Sequence, residues 1–468
     1  MAVARRLMFS DLTVRQKVNG FNQVVIPKLK YAFSCVVFGA GKLGTLKKRA
    51  NRFDADIRKV MEESGLRFRG NCAARLYVEK ETGGLGLKSV EEELEKSITY
   101  TWCYLASNTD LLVPYQLSES LRSSNKRSLT SDFQKVLCTN GIEGKVQRTT
   151  IATIKVDGQT FFNVTEAARA VAKLIRARWS KVHMTAWKGK AVAGRVIHGR
   201  RLGDDEPNGL CLKDSFLWSA RGWVSSKVLR NVWAVQEGSL LTRCSAAGRA
   251  CMPGSTRVCR MHCAPDAMET AEHIVSSCSH WRTNIMVERH DDVARVLYAS
   301  IRRKYNINNV VNTHVPHVLD LGTVVIHWND SIWTSEGLAH NKPDILVWDR
   351  LINRLWIIEI SVSWFTRILQ QEKRKLGKYG INSTLPENTP VDGFLPGTSL
   401  KSVLQKDRKC RVDVIPIVLG TCGEVSPNLR HYIQALELPE DTGVLIEKLE
   451  RSAVQGTNRL VKCHLANS

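Results

Sequence analysis

Two acidic residues have the spacing of a divalent-cation site. Asp344 directly precedes the short apolar run 345–348, and Glu359 lies within a second apolar run, 355–362. Such β-branched runs predict buried strands that pair as a hairpin. A turn centred on residues 351–352 would place the two acids opposite each other, with Cβ atoms roughly 4.5–5.5 Å apart. Carboxylates this close repel unless a cation lies between them, and magnesium is the hard ion that best suits oxygen ligands. Alternatively, both acids end their strands in solvent.

A lysine-rich segment follows the predicted hairpin. Residues 366–380 have the pattern of a helix that ends at Gly380. Lys375, Lys378 and Tyr379 recur at three- and four-residue spacing with Glu372, so they share one face. A lysine held over a metal-bound phosphate can stabilise developing negative charge. The alternative is an ordinary basic helix face in solvent.

Three cysteines and a histidine form a second cluster with chemical potential. Their spacings are three, nine and four residues: Cys259, Cys263, His273 and Cys278. Three thiolates and one imidazole suit a closed tetrahedral zinc site, which would stabilise the fold and not catalyse. Neighbouring residues of the same types could replace a ligand: Cys244, Cys251, His262 and His280. The alternative is a chance cluster of buried cysteines.

Charge and composition point to a nucleic-acid partner. The chain has 468 residues, a formal net charge of +23 and 43% hydrophobic residues, which predicts several globular domains and a polyanionic partner. No apolar run has membrane-spanning length, so no membrane partner is expected. Thirteen cysteines without a secretion signal indicate reduced thiols. We therefore expect a nuclear protein, or a cytoplasmic one before import.

Basic residues cluster between residues 181 and 201. They surround Trp187, an arrangement that suits phosphate contacts together with stacking on an unpaired base. The candidates for nucleic-acid binding are Lys188, Lys190, Arg195, Arg200 and Arg201, with Arg243 at the end of a later predicted helix. Each could equally be a solvated side chain, so the interpretation depends on the summed charge.

The acidic pair resembles a known nuclease pattern. Pro343-Asp344, fourteen residues, Glu359 and then a lysine is similar to the PD-(D/E)-x-K motif. The chain departs from that motif at Ser361, where the family usually has its lysine. Acid-x-Ser followed by Lys-x-x-Lys-Tyr on the next helix resembles the restriction-like endonuclease of non-LTR retrotransposons, whose lysine has moved to that helix.

This resemblance implies roles for individual residues. Asp344 and Glu359 would hold one or two magnesium (or manganese) ions. Lys375 would be the first choice for the charge-stabilising lysine and Lys378 the second, with Tyr379 as an orienting group. The Cys-Arg-x-x-Cys start of the cysteine cluster and the later Arg289-His290-Asp291 are similar to the zinc knuckle and the beginning of the endonuclease in the same family.

The N-terminal part resembles the thumb that follows the polymerase palm in those elements. The similar segments are Gln16–Asn19, Ile26-Pro27, Asp54–Arg58 and the glycine turn Gly83–Leu87. A strand is expected at the beginning of Arg75–Leu87. No polymerase hairpin is present, so we expect either the downstream part of a longer polyprotein or a truncated element, without reverse transcriptase activity.

The predicted fold is multi-domain, with a helical N-terminal part, a small zinc knuckle and an α/β restriction-like nuclease. The expected boundaries are 1–110 (thumb-like), 111–245 (basic linker), 246–290 (CCHC zinc knuckle), 291–440 (nuclease) and 441–468 (C-terminal helix and tail). The expected function is nicking of double-stranded target DNA to prime reverse transcription. Further partners would be the element's RNA and the missing polymerase portion.

Two other classes of protein remain open. One is a catalytically silent nucleic-acid-binding fragment of a truncated or repurposed retroelement, which would bind DNA without cleaving it. The other is a zinc-finger regulator joined to an unrelated α/β domain. A single zinc site reads little DNA sequence, which makes the regulator the weakest of the three.

Overall fold

A computed structural model describes two compact parts of the chain, residues 1–190 with 223–229 (the first unit) and residues 191–222 with 230–468 (the second unit). Several segments lie outside the description: 36–41, 112, 114–115, 117–119, 121–126, 147–153, 157, 162, 193–194, 197–209, 222–223, 246–249, 251–255, 308–314, 339, 381–398 and 467–468. Within the described residues, no helix has both the length and the apolar character needed to cross a bilayer.

The first unit is mainly helical. Its helices are α1 (Ala2–Phe9), α2 (Val14–Gly20), α3 (Ile26–Cys35), α4 (Leu43–Glu63), α5 (Val90–Ser107), α6 (Leu129–Thr139) and α7 (Val164–Lys188). Three short antiparallel strands pair in chain order: β1 (Gly144–Val146), β2 (Ile154–Val156) and β3 (Gln159–Phe161). The helical N-terminal part that the sequence predicts is therefore present.

The strand expected at the beginning of Arg75–Leu87 is wrong. The segment forms two short 3₁₀ turns and then folds back on itself. The amide of Gly84 donates to the carbonyl of Glu79 at 2.9 Å. A Cβ on Gly84 would lie 2.1 Å from the carbonyl oxygen of Val78, so only glycine fits this turn. The apolar residues pack into the helical core instead of pairing with another strand.

Asp54 has a structural role in this unit. It lies inside α4 and is buried. Its carboxylate accepts hydrogen bonds from the hydroxyl of Ser89 at 2.9 Å and the amide of Val90 at 3.0 Å. These groups are at the N-terminus of α5, where free amides need acceptors. Phe53-Asp54-Ala55-Asp56 is thus helical and has no part in a polymerase hairpin.

The second unit is built on a five-stranded mixed sheet. Two short strands come first in the chain and form a separate ribbon, β4 (Ala191–Val192) and β5 (Arg195–Val196). The strands of the five-stranded sheet are β6 (Val318–Asp320), β7 (Val324–Trp328), β8 (Ile345–Asp349), β9 (Arg354–Ser363) and β10 (Arg411–Gly420). The sheet order is β10-β9-β8-β7-β6, with β10 and β9 parallel and the other pairs antiparallel. Pro416 lies on the edge strand β10, as its missing amide predicts.

The helices of the second unit pack on the sheet or on one another. They are α8 (Leu217–Ala220), α10 (Ser279–Arg282), α11 (Ile285–Lys304), α12 (Ile368–Tyr379), α13 (Leu400–Arg408), α14 (Leu429–Gln434) and α15 (Thr442–Ala466), while α9 (Ser226–Gln236) has residues in both units. Both faces of the sheet are covered. One face packs against α11, α14 and α15, and the other against α12 and α13.

The hairpin has the predicted register. Trp348 pairs with Leu355, and Leu346 pairs with Ile357. Extending this register by one pair beyond β8 brings Asp344 opposite Glu359. Side chains alternate along β9, so Glu359 lies on the face covered by α12. The α/β part of the predicted fold is present, because both faces of the hairpin are buried between helices.

The C-terminal segment is more ordered than a helix with a free tail. Helix α15 runs without interruption from Thr442 to Ala466, and its inner face is buried against α11. Gly456 and Thr457 permit close approach of α11 at Arg289. The description ends only two residues beyond the helix.

Candidate active site and metal centre

Asp344 is held in one orientation at the start of β8. Its Oδ2 accepts a hydrogen bond from the amide of Ile360 at 2.7 Å, and Nε2 of His290 lies 3.3 Å from the same oxygen. Burial alone would raise the pKa of Asp344. The hydrogen bond and charge of His290, together with the charge of Lys375, outweigh burial and hold that pKa below its ordinary value. These contacts favour the ionised form of Asp344, which is the form that could bind a metal ion.

Glu359 is almost completely buried in the middle of β9, with a side chain 1% exposed. Lys375 contacts its Oε2. Its Oε1 lies 3.7 Å from Nζ of Lys378 and has no hydrogen-bond partner among the described residues. A buried carboxylate oxygen left in this state is costly. The orphaned oxygen beside a second carboxylate fits a hard divalent ion such as magnesium.

Lys378 and Tyr379 extend the cluster along α12. Burial lowers the pKa of Lys378, Glu359 opposes that effect, and Lys375 adds to it. The hydroxyl of Tyr379 donates to the carbonyl of Lys342 at 2.9 Å. Burial and the neighbouring carboxylates raise the pKa of Tyr379. The neutral phenol thus fixes the segment just before Asp344, as an orienting group would.

Glu372 does not join this cluster, although helical spacing predicted a shared face with the lysines. Its carboxylate accepts hydrogen bonds from Ser426 and, at 3.1 Å, from Asn428. Burial raises the pKa of Glu372. The chain beyond β10 supplies these partners, and no local pattern in the sequence could show that.

His290 is a site residue that the motif reasoning did not assign. Helix α11 brings it to Asp344, while its Nδ1 lies 3.1 Å from Asp291. Burial lowers the pKa of His290, but the hydrogen bonds to Asp291 and Asp344 outweigh it and raise that pKa to about 9. The imidazolium orients Asp344. The sequence pointed to this residue through the resemblance of Arg289-His290-Asp291 to the beginning of the endonuclease, which assigned it no role.

The four predicted zinc ligands come together. Cys259, Cys263, His273 and Cys278 each offer one ligand atom, and these atoms lie within 4.8 Å of one another. Sγ of Cys263 is 3.2 Å from Nε2 of His273. Burial, together with the adjacent Cys259 and Cys263, raises the pKa of the Cys278 thiol to about 12. This cluster could bind a metal ion such as zinc, whose charge would offset the crowding of thiolates.

None of the residues proposed as replacement zinc ligands joins the cluster of Cys259, Cys263, His273 and Cys278 among the described residues. Sγ of Cys244 lies 3.3 Å from the carbonyl of Arg257. Cys251 lies outside the described residues. Neither His262 nor His280 belongs to a metal-ligand group among the residues that the structure describes.

Glu269 supports the cysteine cluster from inside its loop. Both carboxylate oxygens of this fully buried residue are used: Arg260 makes a bidentate contact at 2.7 and 2.8 Å. The amide of Arg243 donates to Oε1 at 2.9 Å, and Nε2 of His464 lies 3.2 Å from Oε2. Burial opposes ionisation, but Arg260 and His464 hold the pKa of Glu269 far below its usual range. The end of α15 is thereby joined to the candidate metal centre.

The predicted nucleic-acid contacts have mixed outcomes. Trp187 is completely buried, with the guanidinium of Arg75 4.6 Å from its ring, so it cannot stack on a base. Lys190 donates to the carbonyl of Gly70, and Lys188 also has an interaction within the protein. Nη1 of Arg243 donates to Val258 at 3.2 Å.

The remaining three predicted contacts cannot be placed. Arg200 and Arg201 lie outside the described residues, and only the backbone of Arg195, in β5, is described.

Comparison with known proteins adds no family. No protein-family model matches the chain, and no curated protein matches it. The functional interpretation therefore depends on the geometry above and on the sequence motifs.

Proposed function

We propose that the second unit is a metal-dependent DNA endonuclease. One observation carries the proposal: the amide of Ile360 holds ionised Asp344 next to buried Glu359, whose Oε1 lies 3.7 Å from the Lys378 ammonium and has no hydrogen-bond partner among the described residues. The resemblance to the restriction-like endonucleases of non-LTR retrotransposons suggests the substrate. The reaction would be nicking of double-stranded target DNA, which leaves a 3′ hydroxyl to prime reverse transcription.

Each side chain has a role in that reaction. Magnesium or manganese, when bound, would neutralise charge on the scissile phosphate and activate the attacking water. Asp344 and Glu359 would hold the ion. Lys375 is 19% exposed, so its ammonium group can reach a phosphate oxygen and stabilise the charge that develops there. His290 and Tyr379 act on the geometry, because one orients Asp344 and the other fixes Lys342.

The candidate zinc centre would be structural. Four protein ligands fill a tetrahedral shell and leave no position for substrate. Zinc would tie the segment around Cys259 to Glu269 and, through His464, to α15. With a net charge of +23, the chain would bind DNA, and the element's RNA, through phosphate contacts. It would act in the nucleus together with a polymerase portion.

Nicking of a supercoiled plasmid tests the catalytic proposal. We expect the purified chain to nick DNA with magnesium or manganese and not with EDTA. Glu359→Ala and Asp344→Ala should lower the rate by about a hundredfold or more while DNA binding persists. Lys375→Ala should lower the rate more than Lys378→Ala.

Glu336→Ala is a matched control, because Glu336 is an exposed acid of the same unit that pairs only with Lys406. It should nick at the normal rate. Nicking that survives in Glu359→Ala would refute the assignment. Binding without metal-dependent nicking would support the alternative of a silent nucleic-acid-binding fragment.

A further inference from the structure

Three large apolar side chains project from two neighbouring turns of the sheet. Leu351 and Ile352, in the turn between β8 and β9, are 78% and 53% exposed, and Leu321, in the turn between β6 and β7, is 45% exposed. Turns usually carry Gly, Asn, Asp, Ser or Pro. We call these three residues the apolar tip. Its exposure has no role in the fold, which indicates a binding function.

Arg350 fastens the two turns together. Its amide donates to the carbonyl of Thr323 at 2.9 Å, and its Nη1 donates to the carbonyl of Gly322 at 2.7 Å. The guanidinium also pairs with Asp320 at 3.1 and 3.2 Å. The apolar tip is therefore a single surface with a shared backbone support.

The longer turn is itself ordered by hydrogen bonds. Oδ1 of buried Asp349 accepts from the amides of Leu351 and Ile352 at 3.1 and 3.3 Å. Nδ2 of Asn353 donates to the carbonyl of Lys409 at 3.0 Å. A preformed turn has little conformational entropy left to lose when it binds.

Exposed cations lie near the turn that carries Leu351 and Ile352. The guanidinium groups of Arg408 and Arg350 both lie over the ring of Trp348, 4.9 and 4.7 Å from its centroid. Lys409 and Arg411 follow directly and are exposed. We call Arg350, Arg408, Lys409 and Arg411 the basic collar, in which Arg350 also pairs with Asp320 and Arg411 with Asp413. Cations beside exposed apolar side chains complement nucleic acid, which presents phosphates on either side of stacked bases.

We propose that the apolar tip inserts into duplex DNA, with Leu351 and Ile352 wedged between base steps and the basic collar on the flanking phosphates. Apolar wedges of this kind unstack a step and kink the duplex. The inference rests on the proposed function, because it takes duplex DNA as substrate. At about 3.3 Å per residue along β9, the tip lies roughly 20 Å from Glu359, about six base steps from the bond to be cut.

Plasmid topology tests this proposal without knowledge of the target sequence. Relaxed plasmid is incubated with the full chain and a metal-independent type IB topoisomerase in buffer without magnesium, manganese or chelator, so that zinc stays bound. The DNA is then deproteinised and resolved on a gel. Unstacking untwists DNA, so the wild-type chain should shift the topoisomer distribution. The double variant Leu351→Ser/Ile352→Ser should abolish the shift, yet change plasmid affinity less than about tenfold, since phosphate contacts dominate non-specific binding.

Two further variants serve as controls. Val287→Ser/Val444→Ser removes two other exposed apolar side chains of the same unit, 46% and 37% exposed, and should keep the full shift. Arg408→Ala/Lys409→Ala should weaken binding and reduce the slope of log affinity against log salt by about 1.8, as expected for two lost phosphate contacts.

Opposite results would overturn the wedge. These are a bound wild-type chain that leaves topology unchanged, or a tip variant that shifts topoisomers as the wild type does. The wedge would also be contradicted by a tip variant that shifts topoisomers as the wild type does but no longer binds liposomes or a protein. The nuclease proposal fails separately. A topoisomer shift in the magnesium-free buffer without nicking in magnesium removes catalysis alone, whereas nicking in magnesium without a shift removes the wedge alone.

Discussion

Two buried glutamates in the second unit have opposite surroundings. Glu269, beside the cysteine cluster, uses both oxygens in contacts with Arg260, the amide of Arg243 and His464. Glu359, in the sheet, has Lys375 on one oxygen and no hydrogen-bond partner on the other among the described residues. Both are at most 1% exposed.

The difference distinguishes a group that holds the fold from one available for chemistry. A buried carboxylate with every lone pair satisfied fixes its neighbours, and its loss leaves their charges stranded. A buried carboxylate with an open oxygen keeps capacity for a ligand, at a cost in stability that natural proteins accept at functional sites. Mutations at the two glutamates should therefore separate stability from activity.

The largest effect on stability is expected at Glu269. Glu269→Gln leaves Arg260, whose side chain is 5% exposed, without its counter-charge, so the free energy of unfolding should fall by about 3–5 kcal/mol. Glu359→Gln should change it by less than about 1 kcal/mol, because Lys375 is exposed enough to rehydrate. Urea unfolding of the full chain, followed by tryptophan fluorescence, measures both.

Reversal of this order would contradict the comparison. If Glu359→Gln destabilised more than Glu269→Gln, the sheet carboxylate would be a structural group. Glu437→Gln is a suitable control, because Glu437 is a 58% exposed partner of Arg354 and should change stability little.

A smaller loss is expected where α15 meets α11. The guanidinium of fully buried Arg289 donates to Val275, in the cysteine-cluster segment, and to Thr457 of α15, both at 2.9 Å. A Cβ on Gly456 would lie 2.3 Å from Cγ of Arg289, which cannot move into solvent. Gly456→Ala should thus lower the unfolding free energy by about 1–3 kcal/mol.

Gly44→Ala is the matched helical control for that measurement. A Cβ there meets nothing within 4 Å, so the change should raise stability by about 0.5–1 kcal/mol through helix propensity. Thermal unfolding of both variants compares them directly. Equal effects at the two glycines would show that Arg289 does not pack tightly on α15.

The smallest effect concerns a third buried glutamate, Glu450, which accepts from the amide of Trp218 at 2.8 Å. Burial raises the pKa of Glu450 well above its usual value. The folded state then binds a proton more tightly than the unfolded chain, whose glutamate pKa is about 4.3. The contribution of Glu450 to the stability of the fold is therefore highest below about pH 4.3, where Glu450 is protonated in both states. This contribution is lost as the pH rises toward the pKa that Glu450 has in the folded protein.

Glu450→Gln removes the titration and keeps an oxygen for Trp218. The stability of the variant relative to the wild type should therefore increase as the pH is raised from 5 to 8. The midpoints of urea unfolding at each pH measure this difference. A constant difference across that range would show that burial does not raise the pKa of Glu450.

Much of the second unit could be predicted from local pattern. The hairpin register follows from two apolar runs and one polar break, because side chains alternate along a strand and a slip of one residue would expose the core. Pro416 favours an edge strand or a strand end, and β10 lies at the edge of the sheet. The four-residue cysteine cluster follows from ligand spacing. In the first unit, local pattern predicted a strand in Arg75–Leu87, and the tight turn at Gly84 shows that this prediction was wrong.

The sequence by itself determined the candidate metal ligands, which are Asp344, Glu359 and the cysteine cluster. It also determined the candidate charge-stabilising lysines, Lys375 and Lys378. Only the tertiary structure decided which neighbours tune them. His290 reaches Asp344 from a helix, His464 reaches Glu269 from the end of the chain, and Glu372 turns away to Ser426. The physical reason is range: periodicity encodes which face of an element is buried, whereas these contacts depend on how whole helices pack against the sheet.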